Sequence, residues 1–388
     1  MTKPADKLNP ERTKELEGGF DLGFWGEKAD FSATWYRAQT SDVILITPTP
    51  PSSGFSSEAK NAGVFRNSGT ELSLNLRPLT RATYSWDLGA GWARNRSLAV
   101  SIAGAEFLPI DNFSGHTENV AMVGQPLGVM RGLGWMRCGI TNYADYPNVP
   151  LAQACAGAPK GAVYIDDGTH CVTKEPNMPC ADTRDRVIGD PNPLWTGNVH
   201  STFRYRKIEL SGLVDIKHGG DVINGTRGAL LSYGTDATTA VRATCTGPHN
   251  SQCTGNLHAF GDADFYPGAV VGPGAHQQLP VGENWYRSSG LAACPFTNMD
   301  EPCVENGGYV KLRELSVAYT FDGPWVARLL GLTTLDVRVS GRNLKTWTKY
   351  KGFDPEANLG GAEFLTQGID YFNNPPTRSF VLSISLNR

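Results

Sequence analysis

Two carboxylates, Asp354 and Glu356, flank Pro355, and two aromatic residues, Trp347 and Tyr350, lie just upstream. Paired carboxylates are the acid and base of glycoside hydrolysis. That chemistry needs a set separation and environments that drive the two pKa values apart, and neighbouring positions in a loop supply neither. Aromatic faces do stack on sugar rings. Trp347, Tyr350, Asp354 and Glu356 are therefore read as a candidate substrate-binding set, with an interfacial role for the two aromatics as the competing reading. A second acidic stretch, Asp166-Asp167-Gly168 followed by Asp182, Asp185 and Asp190, has the hard oxygens that calcium prefers but not the 12-residue loop with its terminal Glu. It reads as a solvated loop. The histidines (116, 170, 200, 218, 249, 258, 276) have no ligand spacing, and neither a nucleophile elbow nor a phosphate loop is present. No catalytic residue, metal or cofactor is expected, and the chain is not read as an enzyme.

The eight cysteines fall in three groups: Cys138, Cys155, Cys171 and Cys180; Cys245 and Cys253; Cys294 and Cys303. Each group lies in a Gly/Pro/Asn/Asp-rich stretch without periodicity, which reads as loop. No Cys-x-x-Cys pair suggests zinc. An even count in close groups suggests local disulfides and an oxidising compartment.

The elements that must position these loops are strands. Phe20, Leu22 and Phe24 alternate with Asp21 and Gly23, and Phe31, Ala33 and Trp35 resume the pattern after a short turn. Leu72, Leu74 and Leu76 alternate likewise, as do Leu315 to Phe321, Leu335 to Val339 and Phe380 to Leu386. Side chains on a strand point to opposite faces in turn, so each segment has one apolar and one polar face. About ten such strands are expected. The one helix candidate is Pro324 to Leu330. The long stretches 102–122, 138–192 and 228–308 are expected to be structureless loops, which are usually functional. Gly63, Gly69 and Gly341-Arg342-Asn343 are read as bulge or corner positions, and Pro126 and Pro193 as strand starts.

Of 388 residues, 35 are Lys or Arg and 38 are Asp or Glu, a net charge of −3 that gives no footprint for nucleic acid. Aromatics at 10% argue against disorder. No run of about 18 apolar residues is present, so no transmembrane helix is expected. The first fifteen residues hold no apolar core of a secretory signal. Two architectures share the alternation: a soluble sandwich with apolar faces inward, and a membrane barrel with apolar faces to lipid and polar faces to a wet lumen. Aromatics at strand ends, among them Trp25, Trp35, Trp86, Trp92 and Trp347, suit the interfacial girdles of a barrel. Arg66, Arg77, Arg313 and Arg338 are expected to line the lumen or its rim.

Several segments carry a family resemblance. Pro10-Glu11 through Thr13, Glu15, Glu17-Gly18-Gly19-Phe20-Asp21, then Asn61-Ala62-Gly63 with Asn67-Ser68-Gly69-Thr70-Glu71-Leu72, resemble barrel strands of TonB-dependent outer-membrane receptors. Val123-Gly124-Gln125-Pro126-Leu127-Gly128 and Ile188-Gly189-Asp190-Pro191-Asn192-Pro193 follow in order. Val310-Lys311-Leu312-Arg313-Glu314-Leu315-Ser316, Ser340-Gly341-Arg342-Asn343-Leu344 and Tyr350 to Glu356 resemble the SusC/RagA branch. The resemblance covers roughly residues 8–388.

It implies an all-β, antiparallel transmembrane barrel with long extracellular loops, of which residues 1–388 form the C-terminal part, without the plug domain. It further implies an outer-membrane location and uptake of a large nutrient such as an oligosaccharide or peptide. The implied partners are the TonB complex, acting through the absent plug, a SusD-like surface lipoprotein and outer-membrane lipid. A loop of the family near the acidic stretch resembles a structural ion site. Family chains end on an aromatic residue that assembly machinery reads, whereas this one ends Asn387-Arg388. Two other readings remain: a secreted soluble β-sandwich that binds or degrades carbohydrate, and a non-transporting remnant.

Overall fold

The computed structural model describes residues 2–5, 7–113, 117–166, 170–171, 178–237, 243–246, 252–255, 270–271, 275–276, 299–361 and 367–387. From the N-terminal side, β1 (Arg12–Phe24), β2 (Ala29–Pro48), β3 (Ser57–Thr80) and β4 (Tyr84–Ile102) run as a meander. The first long connection contains β5 (Phe107–Phe113), β6 (Thr117–Met122), β7 (Val129–Trp135) and β8 (Ala181–Gly189). β9 (Pro193–Tyr205) and β10 (Ile208–Gly219) follow, then a second connection with β11 (Asp221–Asn224) and β12 (Val304–Asn306). β13 (Tyr309–Phe321) and β14 (Thr334–Thr348) precede a third connection with β15 (Ile369–Asp370), and β16 (Ser379–Asn387) comes last.

The long strands form one antiparallel wall in the order β1-β2-β3-β4-β9-β10-β13-β14-β16, and β1 does not pair with β16, so the wall is open. Its two rims differ. At one rim the chain reverses within residues 25–28, 81–83 and 206–207, and more slowly through 322–333. Trp25, Gly26 and Glu27 take left-handed φ values of 57°, 61° and 63° in the first of these turns. All three long connections leave the opposite rim. This asymmetry is that of an outer-membrane barrel.

Register partners share a face, and the outward rows are apolar: Phe20 beside Ala33, Leu72 and Trp92; Phe203 beside Leu210, Val317, Val339 and Leu382. Among the described residues no second layer covers them. Leu210 is 44% exposed, Val339 51% and Leu382 64%. A sandwich would bury these side chains, so the soluble-sandwich reading falls here. No helix among the described residues is long and apolar enough to cross a membrane.

The buried core sits instead beyond the long-loop rim. Of the stretches expected to be structureless, 102–122 contributes β5 and β6 and 138–192 contributes β8, and with β7 between them they build a four-stranded sheet in the order β8-β7-β6-β5. Met136, Leu151, Ala154, Ala162 and Tyr164 pack with Cys138, Cys171 and Cys180 into one cluster there. β11 lies between β12, antiparallel, and β15, parallel. Period-two reading missed β7 because its residues are buried on both sides and Gly132 and Gly134 interrupt the pattern. The helix candidate survives as a short turn, Val326–Leu330, stopped by Gly331 at φ 63°. Pro193 does open β9, whereas Pro126 lies in the turn before β7.

Candidate functional site

The inward face of the wall is polar because every second residue of each strand faces away from the apolar rows. Between β2 and β10 it forms a hollow of about 430 Å³ lined by Ser32, Thr34, Glu71, Ser73, Asn198 and Asp215, with Tyr309 at its edge. Gly91 lines it beside Asn198, whose side chain lies 2.8 Å from where a Cβ on Gly91 would stand. Hydroxyls, amides and two carboxylates in a concave, wet surface suit a polar solute. Lower on the same face, Asp87, Arg204, Glu209 and Arg338 form a chain of ion pairs across four strands, with Arg204 to Glu209 at 2.7 Å and Arg338 to Glu209 at 2.6 Å.

Above the hollow, the third connection is latched to the wall. Asp354 accepts from Lys311 at 2.7 and 2.9 Å, and Glu356 accepts from Lys311 at 2.6 Å. Both Lys311 and Asp354 are buried. Arg313 bonds Asp215 at 2.6 Å and also pairs with Glu356, which accepts the Tyr309 hydroxyl at 2.6 Å. Against β10 the register shifts between Leu213 and Val214, which pair with Glu314 and Leu312, and this makes Arg313 the extra residue of a bulge. A bulge re-aims one side chain, and here Arg313 turns inward beside Lys311. Burial pushes the Glu356 carboxyl up, but hydrogen bonds from Arg313, Lys311 and Tyr309 outweigh it and hold the pKa at about 2.

Further hydrogen bonds and ion pairs hold the connections together. The Tyr350 hydroxyl donates to Asp370 at 2.6 Å, and Thr226 donates to the other Asp370 oxygen at 3.0 Å. Burial and the Asp370 carboxylate push the Tyr350 hydroxyl far above its usual range. On β8 the ladder slips between Asp182 and Arg186, and two β7 amides find partners elsewhere. Leu133 N–H donates to Asp300 at 2.9 Å and Trp135 N–H to Glu301 at 2.8 Å. Arg137 and Arg186 close on Glu301 at 2.6 and 2.7 Å. Gly132 and Gly134 admit these carboxylates, since a Cβ would lie 2.7 Å from Asp300 and 2.5 Å from Glu301.

The structure thus brings Asp354 and Glu356 together on two cations, while Tyr350 is buried beneath the loop. Trp347, 52% exposed, is the register partner of Val310 in an outward row. Arg77 pairs with Asp87 at 3.9 Å and Arg313 and Arg338 face the lumen, whereas Arg66 is outward near the long-loop rim. In the acidic stretch, Asp182 accepts from Thr141 and Tyr146 at 3.0 and 2.5 Å, and Asp190 accepts from Asn192. Asp167 and Gly168 lie outside the described residues, as do the side chains of Asp166 and Asp185. Among the described residues no group of His, Cys, Asp and Glu has metal-holding geometry. His200 is inward, His218 stacks on Trp195, and His170 is exposed; His116, His249 and His258 and the His276 side chain lie outside the described residues.

Cys138 bonds Cys155 and Cys171 bonds Cys180. Cys303 is also disulfide-bonded, Cys294 lies outside the described residues, and Cys245 and Cys253 are register partners on a short hairpin. Sequence reasoning missed Lys311, Tyr309, Asp300 and Glu301 as partners. Lys311 and Arg313, two apart on a strand, were a usable signal for an inward cationic pair; Asp300 and Glu301 gave none.

Residues 1–168 match the family model described as TonB dependent receptor-like, beta-barrel. TonB-dependent receptor P3 of Formosa agariphila is 26% identical over 98% of this chain and 34% of its own length. TonB-dependent receptor SusC of Bacteroides thetaiotaomicron is 19% identical over 98% of this chain and 32% of its own. The chain therefore spans 32 to 34% of these relatives. The solved RagAB peptide transporter superposes with a TM-score of 0.64 at 17% identity, covering 98% of this chain and 35% of the matched one, which shows the fold. Over almost its whole length the chain is thus similar in sequence to about a third of these TonB-dependent receptors, and its wall has the fold of the matching part of the RagAB transporter.

Proposed function

We propose that the receptor containing this wall imports a large polar solute, an oligosaccharide or a peptide, across the outer membrane. The observation that carries it is the wall itself: apolar rows outward, a concave polar hollow inward, and all long connections on one rim. The nine strands serve as the C-terminal part of a larger barrel, and the rest of the receptor supplies the plug through which the TonB complex delivers energy. A SusD-like lipoprotein covers the extracellular mouth. The relatives are receptors, and this wall binds and passes its solute without making or breaking a bond. Asp354 and Glu356 act at the mouth by fixing the loop that carries exposed Phe353, with Tyr350 beneath it and Trp347 at the membrane interface.

The direct test is uptake by cells expressing the whole receptor, offered mixed peptides in one arm and mixed oligosaccharides in the other, with TonB present or removed. TonB-dependent depletion of one mixture is expected. Equal depletion with and without the receptor in both arms contradicts the proposal.

A further inference from the structure

On β1–β4 the two faces of the wall carry opposite charge. Leu16, Arg37, Ser68 and Arg96 are register partners in one row, and Lys14, Gln39, Arg66 and Leu98 in the next. Arg12 lies one row above and Arg94 one row below, beside Gly18, Trp35 and Thr70. The same rows continue downward into Phe20, Ala33, Leu72 and Trp92, so the cations stand on the lipid-facing side, immediately above the apolar band. No Asp or Glu occupies an outward position from Phe24 to Arg12 or at the register partners of those positions. The carboxylates of these strands, Glu15, Glu17, Asp30 and Glu71 among them, point inward. Among the described residues none of Arg12, Lys14, Arg37, Arg66, Arg94 and Arg96 has an ion pair or side-chain hydrogen bond.

A cation on the lipid side is costly at the middle of a bilayer and nearly free at its interface. These residues therefore mark the height of the headgroups at the long-loop rim. Clustered like charges repel, and at that height the available counter-charges are lipid phosphates. The arginine fork matches a phosphate through two parallel bonds, and Trp35, Leu72 and Trp92 offer apolar surface below for acyl chains. We propose that the outward face of β1–β4 is a binding site for a phosphate-bearing lipid of the outer leaflet, its phosphates among Arg37, Arg66, Arg94 and Arg96. The site depends on the barrel standing in the membrane and not on which solute is imported.

The test places the whole receptor in phosphatidylcholine nanodiscs doped with diphosphoryl lipid A or with its dephosphorylated form, and counts lipid retained after detergent exchange by native mass spectrometry. The unsubstituted receptor is expected to retain the diphosphoryl form more than about tenfold over the other, at about fivefold per cation engaged. Excess inorganic phosphate leaves the lipid in place. Arg66→Gln/Arg94→Gln/Arg96→Gln is expected to lower retention more than about tenfold, while Glu15→Gln/Glu17→Gln on the opposite face changes nothing. Equal retention of the two lipid forms overturns the proposal without reference to any variant. Displacement by inorganic phosphate overturns it in favour of a free-anion site.

Discussion

Lys311 holds two carboxylates from a loop more than forty positions away, and its ammonium and the Asp354 carboxylate are both nearly sealed from water, at 4% and 8% exposure. Removing one partner of such a pair leaves the other charge buried, at about 3–5 kcal/mol. Lys311→Met is therefore expected to free the loop after β14, read as lost hydrogen-exchange protection at the Ala357 amide, which bonds the Asp354 carbonyl at 3.0 Å. Lys311→Met/Asp354→Leu should restore much of it; unchanged protection in the single variant would show that the latch is held otherwise. Glu356 adds a pH dependence. Its folded pKa of about 2 lies below the ordinary 4.5, so the unfolded chain binds more protons between those values and stability is lost as pH falls through them. The same amide is expected to keep its protection above pH 4.5 and lose it toward pH 2; loss on raising the pH instead would contradict the sign. Asp354 and Glu356 stood out in the sequence as a pair, but their partners did not, because nothing local says which strand a loop returns to.

The strands show where side-chain alternation suffices and where it fails. The wall was legible because each strand keeps one apolar face in contact with a single environment over its whole length, as from Phe20 to Phe24 and from Phe380 to Leu386. β7 was not, because its glycines are filled by side chains of another connection. Neighbouring wall strands also lock through glycine: a Cβ on Gly69 would lie 2.4 Å from the Tyr36 ring, whose hydroxyl reaches Asn95 at 3.3 Å. Gly69→Ala is expected to destabilise the receptor by about 1–3 kcal/mol in urea unfolding from bilayers. Adding Tyr36→Ala should then cost less than the two changes summed; strict additivity would mean the ring does not rest on the glycine. The disulfides act on the loop body alone. Closing a loop of 17 residues, as Cys138–Cys155 does, contributes about 3 kcal/mol. Cys138→Ser/Cys155→Ser is therefore expected to admit trypsin at Arg137 and Lys160 while the wall stays folded, and resistance equal to the unsubstituted receptor would contradict this.

At the scale of the whole molecule, the open edges of β1 and β16 limit what this chain does by itself. Unpaired backbone groups in hydrocarbon cost several kcal/mol each, so in the membrane both edges must pair with other strands of the barrel. The wall's handed polarity, greasy outside and wet inside, is what the uptake and lipid-binding proposals both require. Collision accessibility of spin labels along β9 tests it most directly, because every residue from Thr196 to Tyr205 is paired on both sides without a register shift. Labels at Val199→Cys and Phe203→Cys, in the whole receptor in bilayers, are expected to meet oxygen and escape a water-soluble nickel chelate. Labels at Asn198→Cys and Thr202→Cys should meet the nickel chelate. Equal nickel accessibility at all four positions, or shielding of Val199 and Phe203 from both probes, would contradict the barrel assignment.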